Sequence, residues 1–241
     1  MPEPIVTASE LTKVYVTDDV ETRALWNIDL VIEQGEFVAI TGPSGCGKST
    51  LLSVLGLMDM PTSGRLVLGG REAARLSLWQ RARLRNELIG FVFQSFHLVG
   101  NLSTLDNVAL PLSYAGVGRS QRREMAAQAL TRVDMQHRLN HFPAQLSGGQ
   151  QQRVAVARAI VTQPQLILAD EPTGNLDSEN GSQIMQLLSE EHEQKGTTIC
   201  LVTHDLPHAE FAQRRIHLLD GHVVPNSELS HDSGSDSEVA P

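Results

Sequence analysis

Gly42-Pro43-Ser44-Gly45-Cys46-Gly47-Lys48-Ser49 has the full spacing of a phosphate-binding loop, a glycine, four residues, then Gly-Lys-Ser. Its surroundings fit that pattern. An apolar run at residues 37–41 precedes it, and residues 48–57 carry the leucine spacing of a helix. Strand, glycine loop and helix thus stand in the order that turns successive backbone N–H groups around a phosphate chain, at the positive end of a helix dipole. Lys48 is the candidate to neutralise the outer phosphates, and Ser49 is the candidate Mg²⁺ ligand.

Working outward, residues 25–32 alternate apolar and polar like an edge strand and turn at Gln34-Gly35 before the buried strand at 37–41. Downstream come a turn at 61–64, a strand at 65–68, a second turn at Gly69-Gly70, a helix at 78–88 and a short strand at 89–94 ending on Gln94. Residues 103–140 read as mostly helical, with interruptions at Pro111 and at 116–118, and suggest an inserted helical subdomain. The pattern then returns to strand 166–169, helix 180–195, strand 198–203, helix 207–213 and strand 215–219. Strands alternating with helices imply an α/β fold whose parallel sheet is covered on both faces.

Leu166-Ile167-Leu168-Ala169-Asp170-Glu171 is an apolar strand ending in two carboxylates, where an open α/β sheet presents groups to a ligand. Asp170 is expected to hold Mg²⁺ and Glu171 to polarise an attacking water. Between the loop and these acids, Leu146-Ser147-Gly148-Gly149-Gln150 leads into a helix at 154–161. Ser147 reads as its N-cap, and the N–H groups that follow form a second anion-binding helix terminus. Cys46, beside Lys48 at a helix start, is expected to be an accessible thiol with a lowered pKa. Cys200, in an apolar strand, is expected to be buried and inert.

Composition bounds the function classes. Hydrophobic residues at 41% and charged residues at 20% of the 241 describe a globular chain. Apolar runs fall short of the roughly 20 residues needed to span a bilayer, and acidic Glu3 and Glu10 stand where a signal peptide would be basic. The formal net charge of −9 opposes binding to nucleic acid or anionic lipid. Residues 226–241, with four acids and no Lys or Arg, read as a disordered acidic tail. Two cysteines make no disulfide framework, which suits a reducing compartment.

With Leu-Ser-Gly-Gly-Gln at 146–150 beside the phosphate loop and the acidic pair, the chain resembles the ATP-binding cassette (ABC) ATPases over about residues 5–224. The resemblance implies a P-loop NTPase fold of the ABC type, with a mostly parallel core sheet, an antiparallel β subdomain and a helical subdomain at about 95–160. Residues 1–225 would be one cassette. By resemblance, Gln94 matches the Q-loop glutamine and a further Mg²⁺ contact, Asn175-Leu176-Asp177 the D-loop, and His204 the switch histidine. Tyr15 matches the aromatic residue that stacks on adenine. ATP would lie between two such domains arranged head to tail. Gly42 to Thr50 of one would face Ser147, Gly149 and Gln150 of the other, with Asp177 carrying contact across the dimer. Glu171, His204 and Gln94 would be catalytic, with ATP and Mg²⁺ as cofactors.

The resemblance further implies a homodimer that drives separate integral-membrane permease subunits, peripheral to the cytoplasmic face of the inner membrane and touching it only through the permease. About 100 residues separate Lys48 from Ser147 without sustained heptads, which sets aside the coiled-coil chromosome-maintenance ATPases. One cassette rather than two sets aside the translation factors. Phe91-Val92-Phe93-Gln94-Ser95-Phe96-His97-Leu98 and Glu171-Pro172-Thr173-Gly174-Asn175-Leu176-Asp177 look like the macrolide-exporter and lipoprotein-release cassettes, with the cell-division cassettes as the alternative. Because the sequence stops after the cassette, the stand-alone members of that subgroup are the better match.

Overall fold

A computed structural model describes residues 4–17 and 20–224; the expected acidic tail lies outside the described residues. In chain order the elements are β1 (Pro4–Thr17), β2 (Val20–Glu33), β3 (Phe37–Thr41), α1 (Lys48–Leu55), β4 (Ser63–Leu68), β5 (Arg71–Glu72), α2 (Leu78–Leu88), β6 (Ile89–Phe93), α3 (Thr104–Tyr114) and α4 (Arg119–Arg132). There follow α5 (Gly148–Ile160), β7 (Leu166–Asp170), α6 (Ser178–Lys195), β8 (Thr198–Val202), α7 (Leu206–Ala209), β9 (Arg214–Leu219) and β10 (His222–Val224).

Six strands form the central sheet in the order β10-β9-β3-β8-β7-β6. All its pairings are parallel except β10 with β9. Strand residues alternate between two cores, as a period of two requires. Leu166, Leu168, Cys200 and Val202 face the core that contains α1 and the four-stranded antiparallel sheet β2-β1-β4-β5. Ile167, Ala169, Ile199 and Leu201 face the core built with α3, α4, α5 and α6. A sheet buried on both faces explains why β3, β7 and β8 read as continuous apolar runs.

Four sequence expectations need correction. Pro111 does not interrupt a helix but lies inside α3, whose N-cap Ser103 accepts from the Asp106 N–H and whose apolar face, Leu105, Val108, Ala109 and Leu112, is buried. That burial outweighs the one backbone hydrogen bond that proline cannot make. The helix expected at 207–213 is a single turn, Leu206–Ala209. The turn at 61–64 ends early, because Ser63 and Gly64 already belong to β4, where Gly64 has a φ of 85° and an added Cβ would lie 2.3 Å from the Glu10 carbonyl oxygen. The edge strand at 25–32 extends over residues 20–33 and pairs along its length with β1.

Candidate nucleotide site

The sheet places β3, β7 and β8 side by side, so the segments leaving their carboxyl ends meet on one edge of the molecule. From β3 comes the loop 42–49. Two of its glycines have no alternative. Gly42 has a φ of 148° with an added Cβ 2.1 Å from the Leu218 carbonyl oxygen, and Gly47 a φ of 104° with one 2.3 Å from that of Ala24. Gly47 is also the N-cap of α1 and supplies no side-chain cap, so the first N–H groups of that helix are left for another acceptor. Pro43, Ser44, Gly45 and Ser49 are exposed, and Thr50 is half-buried.

Lys48 is buried beneath this loop, its Nζ donating to the carbonyl oxygens of Gly42 (2.9 Å) and Pro43 (2.8 Å). Cys46 is 4% exposed with its Sγ 3.8 Å from the Lys48 Nζ, so the expectation of an accessible thiol is corrected. The loop folds the sulfur inward under Gly42. Cys200 is buried as expected, and desolvation pushes its pKa up to about 12.

From β7 come the two carboxylates. Ser49 Oγ donates to Asp170 Oδ1 at 3.2 Å. Burial raises the Asp170 pKa, and the neighbouring Glu171 charge adds to this, while the Ser49 hydrogen bond and Lys48 oppose it. A hydroxyl beside a partly desolvated carboxylate is a donor set that suits Mg²⁺, which takes one or two protein oxygens and completes its shell with phosphate and water. Glu171 has a left-handed φ of 44°, while its N–H holds to the Val202 carbonyl of β8 at 2.9 Å. This conformation turns its side chain to the segment after β8. There Glu171 Oε1 lies 3.1 Å from His204 Nδ1, with the imidazole largely exposed.

Gln94 is not brought to Ser49 or Asp170. Its Nε2 donates to Asn175 Oδ1 at 3.3 Å, and Asn175 Nδ2 donates back to the Gln94 carbonyl at 3.0 Å. Tyr15 is 40% exposed, with its hydroxyl donating to Asp59 Oδ2 at 3.0 Å and Lys13 Nζ 4.8 Å from its ring centre. Burial would raise the Asp59 pKa, but hydrogen bonds from Lys13, the Met60 N–H and Tyr15 outweigh it and hold the carboxyl low.

Ser147 caps α5 in a reciprocal box with Gln150: the Gln150 N–H donates to Ser147 Oγ (3.3 Å) and the Ser147 N–H to Gln150 Oε1 (3.1 Å). The α5 start therefore precedes the 154 read from sequence, because the two glycines belong to the helix. Among the described residues no hydrogen bond joins 42–49 to 147–150. Asp177 caps α6 by accepting from the Asn180 N–H (2.8 Å) and Nδ2 (2.7 Å), which lowers its pKa. Asn180 also packs over Gly149 and so links that helix start to Asp177. Sequence reasoning missed Asn180, and nothing in a lone asparagine near a helix start could have marked it.

The sequence profile described as ABC transporter matches residues 25–174. An uncharacterized ABC transporter ATP-binding protein of Methanocaldococcus jannaschii, MJ1508, is 48% identical over 220 residues, 91% of this chain and 98% of its own length. The chain belongs to the ABC transporter family. Its α/β architecture, with an antiparallel β subdomain and a helical subdomain, is that of an ABC ATPase, as the sequence led one to expect. The dimeric cassette MJ0796, solved in a post-hydrolysis state with ADP and Pi, has a TM-score of 0.86 at 43% identity, covering 91% of this chain and 97% of that one. The macrolide export ATP-binding/permease protein MacB of Vibrio parahaemolyticus is 48% identical over 227 residues, 94% of this chain. The chain spans about a third of that relative's length, 35%. Within this ABC ATPase, no helix of the described residues is long and apolar enough to cross a membrane.

Proposed function

We propose that this ABC ATPase binds ATP between two copies of itself and hydrolyses it to drive a separate membrane permease of the macrolide-export or lipoprotein-release type. The observation that carries the reading is the gathering of the Lys48 loop, the Ser49–Asp170 pair and the Glu171–His204 pair at one sheet edge, while the capped start of α5 makes no bond to that loop. One chain thus holds two anion-binding helix starts that do not meet within it. A head-to-tail pair of chains would unite them, and the dimeric state of MJ0796 supports the pairing of such cassettes.

In this reading the β- and γ-phosphates take the N–H groups of residues 44–50 and draw the Lys48 ammonium away from its carbonyl partners. Tyr15 offers its exposed ring to adenine. Mg²⁺ on Ser49 and Asp170, with Gln94 moving from Asn175 to join them, would supply charge neutralisation between the phosphates. Glu171 accepts the proton of the attacking water, and His204, held on Glu171, orients that carboxylate and reaches the γ-phosphate. The partner's Ser147, Gly149 and Gln150 close the phosphate cage and its Asp177 crosses the interface, so dimer closure and catalytic competence become one event.

The permease partner finds support in a groove of about 910 Å³ between α2 with β6 and the helices α3 and α5, whose lining includes no residue of the phosphate loop. Trp79 and Tyr114, exposed by 69% and 75%, rim it, and Phe91 and Phe93 line it. Such an apolar groove beside Gln94 accommodates a short permease helix and would carry motion to the Q-loop. Residues 1–225 form the cassette in this view, with about 95–160 as its helical arm, on the cytoplasmic face of the membrane. The test is Glu171→Gln with Mg·ATP on a sizing column with light scattering. A stable ATP-dependent dimer is expected, and a variant that stays monomeric while turning ATP over at the normal rate would refute it.

A further inference from the structure

A second bridge crosses between the two segments that carry Glu171 and His204. His208 Nδ1 lies 3.1 Å from Thr173 Oγ1, two residues beyond Glu171. The same nitrogen lies 3.1 Å from Asp205 Oδ2, next to His204. An ionised carboxylate only accepts, so the proton sits on Nδ1 and is shared between the carboxylate and the threonine oxygen. The imidazole is 15% exposed, and α6 floors it: a Cβ added at Gly181 would lie 3.5 Å from Thr173 Cβ and 3.7 Å from His208 Cε1.

Asp205 shows the same bias. It stands at the N-cap of α7 yet makes no side-chain cap bond there, because its carboxylate is turned to His208. Its N–H is meanwhile fixed by Thr203 Oγ1 at 3.0 Å, at the end of β8. The exposed His204 therefore projects from a segment pinned on both sides, by β8 before it and by the His208–Thr173 contact after it. Apart from that contact, α7 is one turn of helix located by the buried Ala209 and by the Gln213 N–H bond to the Phe37 carbonyl of β3, neither of which ties it to the segment that carries Glu171.

We infer that His208, clasped between Asp205 and Thr173, is a positioning residue that sets His204 against Glu171. It acts through the segment that carries His204 rather than on the nucleotide. The inference rests on the reading of Glu171 and His204 as hydrolytic machinery. The clasp fixes the distance between the two loops, and its loss leaves ATP binding untouched while the geometry of the proton-accepting pair loosens.

Steady-state ATPase assays on the full chain test it, with His208→Leu, His208→Asn and Thr173→Val, each checked by thermal melting. His208→Leu and Thr173→Val are expected to lower kcat about 5- to 50-fold, the scale of a misplaced catalytic group. KM for ATP should stay within about 2-fold, since no ground-state contact is removed. His208→Asn puts an amide nitrogen near the Nδ1 position and should recover most of the rate. In a His204→Ala background, His208→Leu should add almost nothing, because there is no longer a histidine to position; a purely structural role would instead apply its full factor there. Unchanged kcat in folded His208→Leu, or a full additional loss in the His204→Ala background, overturns the clasp. Should His208→Leu fail to fold, Thr173→Val decides by the same two criteria. If Glu171→Gln and His204→Ala themselves hydrolyse ATP normally, the underlying reading has failed instead.

Discussion

His204 Nδ1 lies 3.1 Å from Glu171 Oε1, a contact between segments that leave the adjacent parallel strands β8 and β7. It joins a largely exposed imidazole to a carboxylate whose backbone is held at a left-handed φ of 44°. Strain at a non-glycine residue persists only where the surroundings enforce it. Here the enforcement is the Glu171 N–H bond to the Val202 carbonyl and the Gly174 N–H bond to the Glu171 carbonyl.

Because the two side chains act as a unit, their loss should not be additive. Glu171→Gln is expected to lower kcat by about 10²- to 10⁴-fold while ATP binding survives. His204→Ala should cost less. The double variant should resemble Glu171→Gln alone, as measured by kcat at saturating Mg·ATP. Multiplied losses would mean that the histidine works independently of the carboxylate.

Lys48 and Ser147 should fail in different ways. Lys48 lies under the phosphate loop, so Lys48→Ala should weaken nucleotide binding itself in a fluorescent-nucleotide titration. Ser147 lies outside that loop, and Ser147→Arg should leave binding by the monomer intact and abolish turnover. The lost cap costs about 0.5–2 kcal/mol, so a lowered melting temperature is expected alongside. Mixed dimers should recover partial activity. Loss of monomer binding in Ser147→Arg would contradict a site shared between chains.

The core of this site was legible in the sequence because its signals are local. The glycine spacing of 42–49, the strand ending at Asp170-Glu171 and the Ser147 cap each fix a short backbone geometry, and the structure has all three. What escaped depends on three-dimensional neighbours. The burial of Cys46 follows from how the loop packs under Gly42, and the contact of Gln94 with Asn175 joins residues 81 apart. Pro111 misled for a related reason: the rule against proline inside helices is local, whereas the apolar face that holds α3 in place is tertiary.

Gly149→Ala should be destabilising, since the new Cβ would lie 2.3 Å from Asn180 Oδ1 and 2.7 Å from its Cγ. Asn180 cannot swing freely, because Asp177 holds both its N–H and its Nδ2. An overpacked contact of this kind costs about 1–3 kcal/mol. Gly149→Ala with Asn180→Ala should therefore melt higher than Gly149→Ala alone. If removing Asn180 gives no relief, the two helix starts are not in contact as described.

Both thiols should resist maleimide in the folded chain and label on unfolding in urea, since each is buried. Rapid labelling of Cys46 in native protein would show that the phosphate loop opens readily. Protection should deepen with Mg·ATP, whose phosphates would cover the loop.

Asp170 links stability to function. Burial raises its pKa above the ordinary 3.8, so the folded chain holds this proton to a higher pH than the unfolded chain does. Stability therefore falls as pH rises from the unfolded value through the folded one, because there the native state binds more protons. Above that window the ionised carboxylate is a standing cost to the nucleotide-free fold. Asp170→Asn keeps the shape and removes the charge, so at neutral pH the free protein should melt higher than the wild type. At a pH below both values the difference should shrink, since wild-type Asp170 is then neutral too. The same variant should lose most ATPase activity and Mg²⁺-dependent stabilisation by ATP, because a neutral amide oxygen beside Ser49 holds a divalent cation far more weakly than the carboxylate it replaces. Melting curves with and without Mg·ATP, at neutral and acid pH, separate the two effects. A variant that melts lower than wild type in the nucleotide-free state at neutral pH would show that Asp170 is held by favourable contacts rather than retained against the cost of burial.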